Sequence, residues 1–262
     1  MTSLRNIGAI IEKEWRHYFG SPIAYVGLFV WTMLFGVFFY FAFRFFLQQS
    51  MRASGMEFGG GVKMSLNEYL IRPVLHNMAV VALFIAPLLT MRLFAEEKRQ
   101  GTIELLATAP LRDIEVVLGK FLAAAGLYAL MILAGLLNLV LVYYYAPTPP
   151  EWKPILTGAL ALLLLGSCFL AMGLFVSTLT RNQIVAGILS FCLFLGMWTL
   201  GWLDDPSAGP LMNGVAYLGV TTHMEDMVKG VLDLKDLVFY LSVVAFGLFL
   251  AHQSVESQRW RA

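Results

Sequence analysis

Residues 155–203 read ILTGALALLLLGSCFLAMGLFVSTL, followed by TRNQ and then by IVAGILSFCLFLGMWTLGWL. Arg181 is the only charged residue in this stretch. A helix that crosses the hydrocarbon layer of a membrane needs about 20 mostly apolar residues, and each run beside Arg181 is long enough. Because Arg181, Asn182 and Gln183 leave room only for a tight turn, the two runs are predicted to form a hairpin of membrane-spanning helices.

Four further apolar runs of similar length complete the pattern, and they lack the two-residue alternation of a membrane β-barrel. Helices and closed barrels are the structures that satisfy every backbone group in lipid, so all six runs are predicted to be helices. The sequence therefore predicts an all-α integral membrane protein in which residues 1–262 form a single transmembrane domain. The predicted spans cover residues 22–47, 74–94, 120–145, 155–179, 184–203 and 237–255.

The composition agrees with a chain that lies mostly in lipid. Hydrophobic residues make up 59% of the 262 residues and charged residues 13%, compared with about 25% charged residues in soluble domains. The net charge of +1 gives no basic field that would attract nucleic acid. Cys168 and Cys192 both lie inside apolar runs, and they are interpreted as buried apolar residues instead of a disulfide or a metal pair.

The distribution of Lys and Arg predicts the orientation in the membrane. If both termini are cytoplasmic, eleven of the 18 Lys and Arg residues lie on the cytoplasmic side and seven on the outer side. Short cytoplasmic loops carry an excess of these residues. A multi-pass chain with both termini in the cytoplasm is therefore predicted.

An amphipathic helix is predicted before the first span. Ile7, Ile11, Trp15 and Tyr18 recur at helical spacing on one face. Such a helix lies flat in the membrane interface, and its closeness to Pro22 favours that position over the alternative of an ordinary cytosolic helix.

A short extracytoplasmic helix is predicted before the last span. Thr222 and Glu225 match a capping box, and Gly230 stands where a helix would end in a left-handed turn. We therefore expect a helix around residues 223–229, which includes His223. Asp233 is expected to cap the last span.

The longest predicted cytoplasmic loop reads EEKRQGTIELLATAP from Glu96. Charges fill its first half and apolar residues its second half, while Gly101 permits a break between them and Pro110 ends the helical stretch. A charged helix beside an exposed apolar group suits docking into a groove on a cytosolic partner, with Glu97 and Arg99 setting orientation; a solvated connector is the alternative. The residues assigned to this docking segment are Glu96, Glu97, Lys98, Arg99, Gly101, Thr102, Glu104, Leu105, Leu106 and Pro110.

The docking segment, continued by Leu111-Arg112-Asp113 and Gly119-Lys120, resembles the cytoplasmic signature of ABC transporter permeases of the ABC-2 type. The similarity extends over nearly the whole chain and is strongest to the GldF and NosY permeases of that family. It implies a permease subunit in the cytoplasmic membrane of a bacterium, which couples ATP hydrolysis to export or to mechanical work. Other stretches that carry the resemblance are residues 19–22, 223–234 and 256–260.

The resemblance also implies the partners. The segment matching residues 96–106 would contact cytoplasmic ATP-binding cassette ATPase subunits, and these subunits would hold ATP and Mg. Six spans are half of the usual transmembrane set of an ABC transporter, so a second permease copy or a related permease would complete it. An extracytoplasmic auxiliary subunit stays open as a further partner.

The chain itself contains no motif for nucleotide hydrolysis. A phosphate-binding loop needs a glycine-rich turn followed by Lys and then Ser or Thr. Gly119-Lys120 is followed by Phe121, and Ile114 occupies the position of the first glycine. The zinc-protease and nucleophile-elbow motifs are also missing. We therefore predict a transport subunit that is not itself an enzyme and that holds no cofactor of its own.

No metal site is predicted either. Copper prefers sulfur and imidazole ligands, and the histidines lie near methionines only at His76 with Met78 and at His223 with Met224. Methionine in apolar helices usually serves as packing material.

Other classes of function stay open. A secondary transporter or channel would need polar or ion-coupling residues near the membrane midplane. The polar residues worth noting within the spans, Arg44, Asn138 and His252, are scattered. A passive membrane anchor of a motility or assembly complex is a further alternative, and a membrane-embedded enzyme is disfavoured by the missing motifs.

Overall fold

The computed structural model describes residues 2–55, 65–102, 111–145, 150–203 and 209–259. Within these ranges the chain forms helices joined by turns, and no β-strand occurs. A π-helical turn, Asn67–Ile71, leads into α3, and a 3-10 turn, Leu200–Leu203, follows α7. The helices are, in chain order, α1 Thr2–Gly20, α2 Pro22–Gly55, α3 Arg72–Thr90, α4 Ala95–Gln100, α5 Asp113–Tyr145, α6 Trp152–Leu179, α7 Gln183–Thr199, α8 Pro210–Ala216, α9 Thr222–Val228 and α10 Leu234–Arg259.

Six segments are long and apolar enough to cross a membrane, which confirms the predicted all-α architecture. Several extend beyond the apolar runs because polar and charged turns continue the helices. The helix α5 has 33 residues and is about 50 Å long at 1.5 Å per residue, so part of it lies outside a hydrocarbon layer of about 30 Å. The six segments are Ala24–Arg52, Asn67–Gln100, Asp113–Val140, Trp152–Leu179, Gln183–Leu203 and Leu234–Ser257.

The central helix of the bundle is α6, which packs against α3, α5, α7, α9 and α10. Small residues let neighbouring helices approach closely in membrane proteins. At Gly166 the ring of Tyr128 from α5 fills the space that a Cβ atom would need. The Tyr128 hydroxyl donates a hydrogen bond to the Leu162 carbonyl at 3.1 Å. A side chain at residue 166 would therefore push α5 away from α6.

The outer helices of the bundle present apolar surface. The buried core comes mainly from α3, α5 and α6, whereas α2, α7 and α10 are buried to a much smaller extent. Large exposed apolar surfaces mark contacts with a membrane or with another protein. Exposed residues of α2 include Tyr25, Phe29, Met33, Tyr40 and Phe41.

The predicted amphipathic helix is α1, and its apolar face packs against α5. The Asn6 side-chain amide donates to a carboxylate oxygen of Glu115 at 3.0 Å, and the Trp15 indole donates to the Ala123 carbonyl at 3.1 Å. Tyr18 is buried.

The helix α4 and the first turns of α5 and α7 lie at the same end of the bundle, which we call the α4 end. The opposite end holds α8 and α9, and we call it the α9 end.

The short helix predicted before the last span is α9, but its predicted capping box is wrong. The N-cap residue is Thr221, without a side-chain capping bond. Thr222 is already part of the helix, and its hydroxyl donates to the Gly219 carbonyl at 2.7 Å. Thr222 thus bonds back to the preceding turn, as Ser and Thr often do within helices, and the cap position belongs to Thr221.

The end of α9 follows the prediction. Gly230 has a φ of +93°, and the Val231 amide donates to the Asp226 carbonyl at 3.0 Å. This pattern is the left-handed closing turn expected at a glycine. Asp233 immediately precedes α10, and its carbonyl accepts a hydrogen bond from the Leu237 amide at 3.4 Å, so it occupies the predicted cap position.

Candidate functional site

The predicted docking segment begins with α4, a six-residue helix that follows α3 after a tight turn. The Ser177 hydroxyl oxygen on α6 accepts hydrogen bonds from the amides of Phe94 and Ala95, each at 3.1 Å. The same hydroxyl donates to the Met91 carbonyl at 3.3 Å. The first amides of a helix have no partner within that helix, so α6 supplies a cap from outside. This cap fixes the start of α4 on α6.

The helix α4 ends at Gly101, where the sequence predicts a break. Gly101 has a φ of +72°, a left-handed conformation that costs glycine little and other residues more. The Thr102 amide donates to the Glu97 carbonyl at 3.0 Å, as in the closing turn of many helices. The direction in which the chain leaves α4 therefore depends on Gly101.

A group of four charges, which we call the Lys120 cluster, joins α4 to α1 and α5. The Lys120 amine on α5 lies 2.9 Å from a carboxylate oxygen of Glu14 on α1 and 2.9 Å from one of Glu97 on α4. The Lys13 amine is 2.9 Å from the same Glu97 oxygen and 3.6 Å from Glu14. The Lys120 side chain is 2% exposed, and its amine lies 5.2 Å from the centre of the Phe94 ring.

Burial of Lys120, Glu14 and Glu97 makes this cluster sensitive to the loss of any of these three, whereas the Lys13 side chain is 58% exposed. A buried charge is tolerated when it is paired, and removing one partner of a buried pair typically costs about 3–5 kcal/mol. At Lys13 burial lowers the pKa of the amine, but hydrogen bonds to Glu97 and the charges of Glu97 and Glu14 outweigh it and raise that pKa. The cluster therefore favours its charged form and fixes α4 relative to α1 and α5.

Two charged residues of the docking segment point inward, which corrects the prediction that Glu97 offers an exposed charge to a partner. The Glu97 side chain is 13% exposed within the Lys120 cluster. Lys98 donates to the Thr178 carbonyl at the end of α6. Arg99 and Gln100 are exposed. A helix of fewer than two turns that contacts α1, α5 and α6 has few positions left for solvent, so only its last residues face outward.

The rest of the predicted segment is described in part. Glu96 accepts a hydrogen bond from the Gln100 side chain at 3.3 Å, and the Thr102 hydroxyl donates to the Glu97 carbonyl at 3.3 Å. The remaining assigned residues, together with Ile103, lie outside the described residues; they are Glu104, Leu105, Leu106 and Pro110.

Sequence reasoning missed the residues that hold α4 in place, namely Glu14, Lys120 and Ser177. One signal was present at Lys120, which is the first residue of the predicted span 120–145. An ionisable residue at such a place is a functional candidate because its burial must be compensated. The sequence offered no sign of which carboxylates compensate it.

At the α9 end a buried histidine ties α9 to α10. His223 is 4% exposed, and its Nδ1 lies 2.7 Å from a carboxylate oxygen of Asp236. Its Nε2 lies 2.9 Å from the Tyr217 carbonyl oxygen, and its ring stacks on Phe239 with 3.9 Å between centroids. Both ring nitrogens are thus engaged by oxygen atoms. The sequence placed His223 in the helix but did not identify Asp236 as its partner.

Three carboxylates meet beside this histidine. One oxygen from each of Asp226, Asp233 and Asp236 lies within 4.8 Å of the others. The Lys235 amine is 2.9 Å from Asp233 and 3.9 Å from Asp226, and the Lys229 amine is 3.2 Å from Asp226. These amines partly neutralise the negative charge of Asp226 and Asp233. The absence of a metal site stays a prediction.

The comparison with known families agrees with this architecture. A sequence model of the family described as "ABC-2 family transporter protein" matches residues 8–250, a range that begins within α1 and ends within α10 and includes the Lys120 cluster. A comparison with curated proteins found no match. ABC-2 permeases are membrane subunits that are not themselves catalytic and that associate with ATP-binding cassette ATPases. The chain therefore belongs to the ABC-2 transporter family and is a multi-pass permease subunit of an ABC transporter.

Proposed function

We propose that α4 and the segment after it receive motion from a cytoplasmic ATP-binding cassette ATPase and pass it to the spans, so that ATP hydrolysis drives export or mechanical work. The Lys120 cluster is the observation that carries this proposal. It joins α4 to α5 through a buried ion pair, while Ser177 joins α4 to α6 through backbone hydrogen bonds. A displacement of α4 would then move these helices as a rigid body. A simple connector would need neither attachment.

The docking surface in this proposal consists of the exposed end of α4 and the apolar residues after Gly101. Burying a leucine contributes about 1.5–3 kcal/mol, so Leu105 and Leu106 would provide most of the affinity. An exposed charge such as Arg99 contributes less, typically below about 1 kcal/mol, and would set orientation. ATP and Mg would bind to the ATPase, since this chain has no phosphate-binding loop.

A pair of permeases is the second part of the proposal. The apolar face of α2 is exposed within the chain, and six spans are half of the set that the family resemblance implies. A second copy related by a two-fold axis, or a related permease, would complete the assembly.

The α4 end and both termini are proposed to face the cytoplasm, with α1 at the membrane surface. The α9 end would then face the extracytoplasmic side of a bacterial cytoplasmic membrane, where an auxiliary subunit could bind. The excess of Lys and Arg on the α4 side supports this orientation. Within the family, the sequence similarity supports a place near the GldF and NosY permeases.

Site-specific cross-linking in cells tests the docking proposal. A photoreactive amino acid replaces Gln100, which is exposed on α4; in the matched control it replaces Val231, which is 51% exposed at the α9 end. We expect the Gln100 position to cross-link to a protein with an ATP-binding cassette, identified by mass spectrometry, and the Val231 position to give no such product. The proposal is wrong if Gln100 yields no ATPase, or if Val231 yields as much.

A further inference from the structure

A cavity of about 270 Å³ opens beside the Lys120 cluster. It lies between α1, the end of α3, α4 and the start of α5. A single water molecule needs only about 10–15 Å³ on this measure, so the cavity has room for a ligand of many atoms. Leu88, Leu89 and Leu93 form an apolar wall, while Tyr18 and Arg92 belong to its polar lining.

The charged lining of the cavity is balanced. Apart from His17, three cationic side chains and three carboxylates border it, so the lining has no net charge that would favour a simple anion or a simple cation. A ligand that carries one charge of each sign matches such a lining best, because each charge can meet its opposite. The charged lining residues are Lys13, Arg92, Lys120, Glu14, Glu96 and Glu97.

Three buried polar atoms of the lining residues lack a hydrogen-bond partner among the described residues. They are the Tyr18 hydroxyl, Arg92 Nε and Glu97 Oε2, and they belong to a set of seven such atoms in the described chain. Two of the three are donors and one is an acceptor. Burial raises the pKa of the Tyr18 phenol, so its hydroxyl keeps its proton. Buried polar atoms are costly to leave unpaired, and nearly half of those described here meet around one cavity.

We propose that this cavity binds the headgroup of an aminophospholipid, a lipid that carries a phosphate and a primary ammonium group. The phosphate would accept hydrogen bonds from Arg92 and from the Tyr18 hydroxyl, and the ammonium group would donate to Glu97. The three unpaired atoms are closed off from water, so the ligand must draw these side chains a short way into the cavity. Leu88, which is 56% exposed on α3, gives the acyl chains an apolar path out toward the bilayer.

This inference rests on the membrane character of the chain and not on ATPase docking. Lipid binding would also affect how α4 is held, because Glu97 belongs both to the cavity lining and to α4. A bound headgroup would add a contact to the same side chain that joins α4 to Lys120.

Lipid binding by the purified chain in nanodiscs tests the site. The discs consist of phosphatidylcholine, whose quaternary ammonium has no N–H donor, and the probe is phosphatidylethanolamine with a fluorescent acyl chain. We expect saturable binding of the probe, weakened roughly tenfold by Arg92→Gln, which removes a charge-assisted hydrogen bond. Tyr18→Phe should weaken it about threefold. The matched control is Arg16→Gln on the exposed side of α1, which should leave binding unchanged.

Two competitors distinguish the possible ligands. Phosphatidylglycerol has the phosphate without the ammonium group, and equal competition by it would overturn the aminophospholipid assignment. Glycerophosphoethanolamine has the headgroup without acyl chains, and binding as tight as that of the lipid would overturn the lipid assignment.

The variants decide whether the site exists at all. The site is ruled out if the Tyr18→Phe variant and the Arg92→Gln variant both bind the probe as tightly as the unchanged chain. It is also ruled out if Arg16→Gln loses as much affinity as they do. Tyr18→Phe deletes a single hydroxyl, so the test holds even if Arg92→Gln fails to fold. None of these outcomes affects cross-linking from Gln100, so failure here is separate from failure of the docking proposal.

Discussion

Replacing Lys120 with Met would remove the cation that lies between two buried carboxylates. The side chains of Glu14 and Glu97 are 7% and 13% exposed, and each would lose a partner at 2.9 Å. Removing one partner of a buried ion pair typically costs about 3–5 kcal/mol. Lys13 would remain 2.9 Å from Glu97 and 3.6 Å from Glu14. We therefore expect a loss near the lower end of that range, about 3 kcal/mol.

The loss of stability is measured as a change in Tm on thermal unfolding, with all variants in the same detergent and with size-exclusion chromatography as the readout. For proteins of this size 1 kcal/mol corresponds to a change in Tm of about 2–4 °C, so Lys120→Met should unfold about 6–12 °C earlier. The matched control is Arg16→Gln, which breaks an ion pair whose side chains are 79% and 64% exposed. Such a pair is worth less than about 1 kcal/mol, and its loss should shift Tm by less than about 4 °C.

A triple variant separates charge from packing. Lys120→Met combined with Glu14→Gln and Glu97→Gln removes the uncompensated charges, and replacing a whole buried ion pair is often close to neutral. Most of the lost Tm should therefore return. A triple variant less stable than Lys120→Met would show that the charges of the carboxylates are not the cause. Equal Tm values for Lys120→Met and Arg16→Gln would refute the reasoning, and with it the rigid connection of α4 to α5.

Three further predictions concern topology, docking and nucleotides. A cysteine at Gln183 should resist an impermeant thiol reagent in intact cells, whereas one at Val231 should react; the reverse pattern would overturn the orientation. Gly101→Val should weaken co-purification of the ATPase, because a β-branched residue in this left-handed conformation costs about 1–3 kcal/mol. Leu105→Asp should do the same, and both variants should stay membrane-inserted, as size-exclusion profiles beside the pull-down would show. The pure chain alone should neither bind nor hydrolyse ATP in equilibrium binding and phosphate-release assays, and saturable binding would contradict its assignment as a subunit without a nucleotide site.

The number and type of the spans could be predicted from the sequence because the membrane imposes a local rule. A stretch of about 20 apolar residues must satisfy its own backbone in lipid, so each helix is determined by its own residues. The left-handed conformations at Gly101 and Gly230 follow from the same kind of local rule, since glycine has no Cβ atom to clash. The predicted spans cover only the apolar runs, and the helices extend beyond them, as at α5, which begins at Asp113, before the predicted span that starts at Lys120.

The partners of the charges were decided by the tertiary structure. Lys120 meets Glu14 and Glu97 because α1 packs along α5 and α4 folds back against both, and no spacing in the sequence connects these three residues. A helix as short as α4 has no clear polar face, so Glu97 could not be assigned to the interior before its neighbours were known. The cap of α4 likewise comes from Ser177, more than 80 residues away. The sequence alone therefore determined which segments enter the membrane, because that depends on each segment's own backbone. The packing of helices distant in the chain decided how α4 is held, because a buried charge is stabilised by whichever groups the fold brings within reach.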